Sequence, residues 1–270
     1  MILDTYLDPQ TQAFIRYIDL PGEEPSVIFL GGLGIASTAV FPRTVFESDL
    51  SKRHSILVDL FGCGYSDSPE HFSYSIEDHA SILSGLLDHI GSKTYVLVGH
   101  SLGGAIAIEL ASKRSDLIIQ LILAEANLDA GGGILSRSIA AQTEIDFIKS
   151  GYQELINSRR SAALNGDYTS SLALGLWQVA SPRALYGGAV STIKGTEPVM
   201  WDQLIQLSIP RTYIFGSQSL ENYEEDRALQ TRLKEHNIHV AVVPEAGHGM
   251  MAENPTGFAE VIVESLKRHG

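Results

Sequence analysis

Apolar and polar positions along this chain follow two alternating rhythms. Short β-rich runs occupy residues 13–18, 26–30, 56–60, 95–98, 117–125, 212–215 and 239–243, and helical stretches separate them. Ser75-Ile76-Glu77-Asp78 reads as a capping box. It opens a helix in which Ile82, Leu83, Leu86, Leu87 and Ile90 recur at helical spacing. Further helices are expected over residues 105–113, 224–236 and 255–268. Strand–helix alternation of this kind predicts a parallel sheet with right-handed crossovers. From residue 129 to about 207 the rhythm stops. That stretch carries Phe147, Tyr152, Tyr168, Trp177, Tyr186 and Trp201 in helix-like surroundings, broken by Gly131-Gly132-Gly133, Pro182 and Gly187-Gly188. The prediction is an α/β core in two parts, 1–128 and 208–270, with a helical cap at 129–207 inserted between them.

Composition narrows the function. At 270 residues and 44% hydrophobic, the chain can bury a large core. A formal charge of −13 repels nucleic acids and anionic membranes, which leaves a small neutral or lipophilic molecule as the natural partner. The single cysteine, Cys63, excludes an intramolecular disulfide framework and reads as a small core residue. The first residues form no signal-like segment, and no run of about 18 apolar residues occurs, so a cytoplasmic protein without a membrane partner is expected. No H-x-x-x-H pair or cysteine cluster points to a metal, and no cofactor is expected. Oligomeric state stays open.

The sharpest chemical signal is Gly99-His100-Ser101-Leu102-Gly103-Gly104. It follows the strand candidate at 95–98 and precedes the helix at 105–113. G-x-S-x-G in that setting is a nucleophile elbow, whose glycines leave no Cβ where strand and helix cross and whose serine is exposed above the sheet. Ser101 also lies at a helix N-terminus, where free N–H groups favour developing negative charge. Serine needs a histidine base, and the base needs an orienting acid. His248, in the glycine-flanked turn Ala246-Gly247-His248-Gly249-Met250 after the last strand, is the best placed. His54, His71, His79, His89, His236, His239 and His269 read as solvated or capping groups on helices and loops, and His100 is expected to point away from the serine.

These stretches, together with Phe29-Leu30-Gly31-Gly32-Leu33-Gly34, Asp59-Leu60-Phe61-Gly62-Cys63-Gly64-Tyr65-Ser66-Asp67-Ser68-Pro69 and Glu253-Asn254-Pro255, resemble the α/β-hydrolase fold superfamily over the whole chain except the cap. The resemblance implies a mostly parallel eight-stranded sheet, a serine–histidine–acid triad, and an oxyanion hole made by the backbone N–H groups of Leu33 and Leu102. Gly31 stands where the family usually has histidine, a mild departure because the donor is main chain. The acid departs more. Relatives commonly place aspartate after the seventh strand as Gly-x-x-Asp, whereas this chain reads Gly216-Ser217-Gln218-Ser219. Glu125, ending the apolar run Leu121-Ile122-Leu123-Ala124, is the favoured substitute, because a carboxylate there is costly to desolvate unless paired, and certain haloalkane dehalogenases supply a glutamate from this place. Glu221 is the alternative, with Asp129 and Asp226 behind it.

The resulting expectation is a serine hydrolase acting on a small to medium, largely apolar ester, thioester or lactone. Trp177, Trp201 and Met250 are candidates for the substrate pocket, while core packing is the competing account of all three. Two other readings stay open: a cofactor-free lyase, peroxidase or carbon–carbon bond hydrolase using the same triad, and a ligand-binding protein without catalysis.

Overall fold

The computed structural model describes residues 2–269, apart from the side chains of Ile2, Ser48, Tyr168 and His269. The readings of Tyr168 as a cap aromatic and His269 as a solvated histidine therefore lie outside the described residues. Eight strands form one sheet: β1 (Ile2–Leu7), β2 (Phe14–Leu20), β3 (Glu23–Leu30), β4 (Arg53–Asp59), β5 (Tyr95–His100), β6 (Ile118–Ala124), β7 (Arg211–Gly216) and β8 (His239–Val243). Their order is β1-β2-β4-β3-β5-β6-β7-β8. The pairs β1–β2 and β2–β4 are antiparallel and every other pair is parallel. The expected mostly parallel α/β sheet is thus what the chain forms. β1 was not expected. It is an edge strand with Leu3 and Leu7 exposed, so no buried face imprints a period-two pattern on its sequence.

The central strands are apolar at consecutive positions because both faces are covered. Val27, Ile28, Phe29 and Leu30 are all essentially inaccessible. Ile28, Leu30, Leu97 and Leu123 pack on one face with α1 (Ile76–Ile90) and α2 (Leu102–Lys113). Val27, Phe29, Val96 and Val98 pack on the other with Phe258 and Ile262 of α8 (Pro255–His269). Full burial of each such side chain contributes about 1.5–3 kcal/mol. α1 starts as its sequence indicates: the Ser75 hydroxyl accepts the Asp78 N–H at 3.1 Å.

Between β6 and β7 the described residues form no strand. The helices there include α3 (Tyr152–Leu164), α4 (Tyr168–Trp177), α5 (Pro182–Lys194) and α6 (Met200–Gln206); α7 (Glu224–Glu235) follows β7. The inserted helices have aromatic packing of their own, with Phe147 buried and its ring 6.4 Å from Tyr152 and 6.1 Å from Tyr186. Among the described residues no helix is long and apolar enough to cross a membrane.

Strand register positions the site. Leu30 pairs with Gly99, His100 with Ala124, and Ala124 with Ile214. The residues just beyond these pairs, namely Gly31, Ser101 and Glu125, leave the sheet side by side at its C-terminal edge, where open α/β sheets place their ligands.

Candidate active site

Ser101 sits at φ 53° and ψ −120°, a region that a non-glycine residue enters only where its surroundings dictate it. Crossing of β5 and α2 dictates it here. A Cβ on Gly99 would lie 2.6 Å from the Gly103 carbonyl oxygen, and one on Gly103 would run into the carbonyls of Leu30 and Gly31. The Ser101 N–H is held by the Ala124 carbonyl at 3.0 Å, while the next residues begin α2.

Glu125 follows Ala124 with φ 41°, so the chain turns sharply as β6 ends and the carboxylate swings along the sheet edge. Its Oε2 accepts the His248 Nδ1–H at 2.7 Å, and its Oε1 accepts the Gly216 N–H at 2.9 Å. The Glu125 side chain is 9% exposed and that of His248 58%. Burial pushes the Glu125 carboxyl up, but the hydrogen bond and charge of His248, the Gly216 N–H and the Ser219 hydroxyl outweigh it and hold the group below its ordinary value. With Nδ1 donating, the His248 Nε2 carries the free lone pair.

His100, expected to point away from the serine, ties the His248 turn to the elbow. Its Nε2–H donates to the His248 carbonyl at 2.8 Å, and the two rings pack with centroids 4.6 Å apart. Burial lowers the His100 pKa to about 3, so the ring is neutral. The His248 ring therefore lies beside the residue that precedes Ser101. Ser101 Oγ makes no hydrogen bond to it among the described residues; bonds between nucleophile and base are often long until substrate closes them.

Leu33 and Leu102 flank the elbow, and a Cβ on Gly188 of α5 would lie 2.7 Å from Leu33 Cδ1 and 3.1 Å from Leu102 Cδ2. Trp177, at the end of α4, donates its indole N–H to the Leu33 carbonyl at 3.2 Å. The other two pocket candidates are elsewhere. Trp201 is buried against α7, with the Arg232 guanidinium 3.5 Å over its ring and His236 edge-on at 5.1 Å. Met250 is fully buried in the apolar cluster with Phe258 and Val98. Both belong to core packing, since a spacing shared by core and pocket residues does not tell which surface a side chain meets.

Among the described residues, no other candidate acid hydrogen-bonds or ion-pairs with His248. Glu221 is exposed on the helix Ser217–Asn222, and its backbone carbonyl is taken by Arg227. Asp129 pairs with Arg232 at 2.9 Å. Asp226 lies near enough to both Glu125 and His248 to feel their charges: burial and the Glu125 charge raise its pKa, the His248 charge opposes them, and it makes no ion pair among the described residues. Two histidines read as solvated are in fact packed. His79 is buried against Phe72 with ring centroids 5.0 Å apart, and burial lowers its pKa to about 4. His54 bridges Ser26 Oγ at 2.7 Å and Asp19 Oδ1 at 2.9 Å. That second Ser–His–Asp string lies at the opposite end of the sheet, and Ser26 is wholly buried, so no substrate reaches its hydroxyl. Among the described residues no His, Cys, Asp and Glu group is arranged to hold a metal.

The profile of the alpha/beta hydrolase family matches residues 27–261. The chain belongs to that family. This alpha/beta hydrolase is 27% identical over 253 residues to an esterase of Mycobacterium tuberculosis, covering 89% of the chain and 82% of the relative. It is 28% identical over 229 residues to a 2-succinyl-6-hydroxy-2,4-cyclohexadiene-1-carboxylate synthase of Serratia proteamaculans, covering 80% and 84%. A thermophilic esterase of Thermogutta terrifontis superposes over the full length of both chains with a TM-score of 0.78 at 22% identity, a likeness of fold. A hydrolase acting on a small molecule is the activity these relatives support.

Proposed function

We propose that this alpha/beta hydrolase is a serine hydrolase of small to medium, largely apolar esters, thioesters or lactones. The observation that carries the reading is the 2.7 Å contact from His248 Nδ1 to a buried carboxylate one strand away from the strained serine. Ser101 Oγ attacks the substrate carbonyl while His248 Nε2 takes the hydroxyl proton, and the ionised Glu125 stabilises the imidazolium and fixes its tautomer. The carbonyl oxygen becomes an oxyanion facing the N–H groups of Leu33 and Leu102, each worth about 3 kcal/mol of barrier when well aimed. Collapse expels the alcohol, thiol or ring oxygen, which receives the proton from His248. Water then repeats the sequence on the acyl-enzyme, returning the serine and releasing the acid. The helices between β6 and β7 act as a cap, with Trp177 reaching from them to the oxyanion loop.

Labelling with a fluorophosphonate tests this reading: wild-type protein should react at Ser101, and Ser101→Ala should neither label nor turn over ester. A protein that is folded yet inert to the reagent is a binding module. Similarity to the synthase favours one second reading, in which the same residues move protons in a carbon–carbon bond reaction. Parallel assays on acyl esters, lactones and ring-fission diketones separate the two.

A further inference from the structure

Several arginines along this chain have found an acid. Arg16 pairs with Asp67 at 2.6 Å, Arg114 is clamped by Asp88 and Asp116, and Arg183, Arg232 and Arg268 each reach a carboxylate. Arg159 on α3 makes no ion pair among the described residues. Its side chain is partly buried between α3 and α4, where Nη1 lies 3.5 Å from Ser170 Oγ and Cζ lies 5.5 Å from the Trp177 ring centroid. Its Nε–H is buried without a hydrogen-bond partner among the described residues. Asp167 feels the positive charge, yet its two oxygens are turned to the Ser170 N–H and hydroxyl.

A guanidinium carries five donors in a planar fork that matches a carboxylate, and a buried donor left unpaired costs stability. The guanidinium lies over the Trp177 ring, and beyond the long Nη1–H bond to the Ser170 hydroxyl the Nε–H on its edge stays unpartnered among the described residues. The position is what turns this into a site. The same Trp177 donates its indole N–H to the Leu33 carbonyl, in the loop expected to hold the oxyanion, so Arg159 and that loop meet the same indole ring.

We propose that Arg159 recognises a carboxylate on the substrate, so that the molecule hydrolysed is an ester-type compound bearing a second, anionic group several bonds from the reacting carbonyl. The proposal rests on the reading of Ser101 as nucleophile and adds to it the substrate class.

Matched substrate pairs test it. One pair places the charge on the acyl side (mono-4-nitrophenyl adipate against 4-nitrophenyl hexanoate), the other on the leaving group (4-acetoxybenzoate against 4-acetoxybenzamide). In at least one pair, the ratio of kcat/KM for the anionic over the neutral ester should fall about 10- to 100-fold in Arg159→Met, as expected for losing a charge-assisted contact, and recover in part in Arg159→Lys. An unchanged ratio in both pairs overturns the proposal while leaving the hydrolase reading intact. Failure of wild-type protein to hydrolyse any of the four esters overturns the hydrolase reading instead. A binding measurement without turnover then decides on Arg159. The chain has two tryptophans, so Trp201→Phe leaves Trp177 as the fluorescent reporter beneath the guanidinium. Saturable quenching by adipate or 4-hydroxybenzoate that disappears on adding Arg159→Met supports carboxylate recognition; no saturable change with either anion overturns it.

Discussion

Replacing Glu125 by glutamine keeps the shape of the acid and removes its charge. In the wild type, Oε1 accepts the Gly216 N–H at 2.9 Å and Oε2 accepts the His248 Nδ1–H at 2.7 Å. The amide of the Glu125→Gln variant has only one carbonyl oxygen. If it stays with Gly216, the amide NH2 faces Nδ1, which must then accept, and the proton moves to Nε2, where the base needs a lone pair. If the amide flips, the Gly216 N–H loses its acceptor and the imidazolium formed in the reaction still lacks a counter-charge. Either way turnover should drop by about 10³- to 10⁴-fold, equivalent to about 4–5.5 kcal/mol of barrier at 1.36 kcal/mol per decade. KM should change little, because the carboxylate faces His248 and away from substrate. The assay is steady-state hydrolysis of a 4-nitrophenyl ester, with thermal unfolding to show that the variant is folded and Glu221→Gln as the control expected to be nearly silent. A Glu125→Gln enzyme within tenfold of wild type, or a Glu221→Gln enzyme that loses more, would refute the assignment of the acid to the end of β6.

The same carboxylate makes a pH prediction. Because its folded-state pKa lies below the ordinary 4.5, it stabilises the fold above that pH, and the contribution is lost as pH falls through the lowered value; acid unfolding of Glu125→Gln should therefore depend less steeply on pH below 4.5 than that of wild type. His248→Ala should cost about as much turnover as Ser101→Ala, and the double variant little more, since the pair acts as a unit; additive losses in kcat would count against a shared mechanism. Ser101 holds a positive φ, so Ser101→Gly should be inactive yet more stable than Ser101→Ala by about 1 kcal/mol in denaturant titration, and equal stabilities would argue that the elbow stores no strain. Gly188→Val drives a branched side chain onto Leu33 and Leu102, so kcat should fall by more than tenfold with a loss of about 1–3 kcal/mol in stability; wild-type kinetics from this variant would mean that the leucine amides are not part of the machinery.

Local rules carried much of this protein's design into its sequence. The elbow is legible because tight strand-to-helix crossing excludes side chains at Gly99 and Gly103 whatever surrounds them, and the Ser75 cap because it serves N–H groups within the same turn. Buried parallel strands are legible because burial on both faces forces long apolar runs such as Val27 to Leu30. Glu125 stood out by the cost of a carboxylate in such a run. Its partner was a different matter: which of several acids faces His248 depends on β6 and β7 being neighbours in the sheet, a contact between residues 123 positions apart. Tertiary structure alone decided that Trp177 reaches the Leu33 loop while Trp201 and Met250 pack into the core, since hydrophobicity and spacing are the same for both fates. It alone turned His100 toward the His248 turn, and it alone set Arg159 over Trp177 with no ion pair among the described residues. Edge strand β1 escaped notice for the opposite reason: paired on one side and exposed on much of its surface, it needs no pattern that a sequence could display.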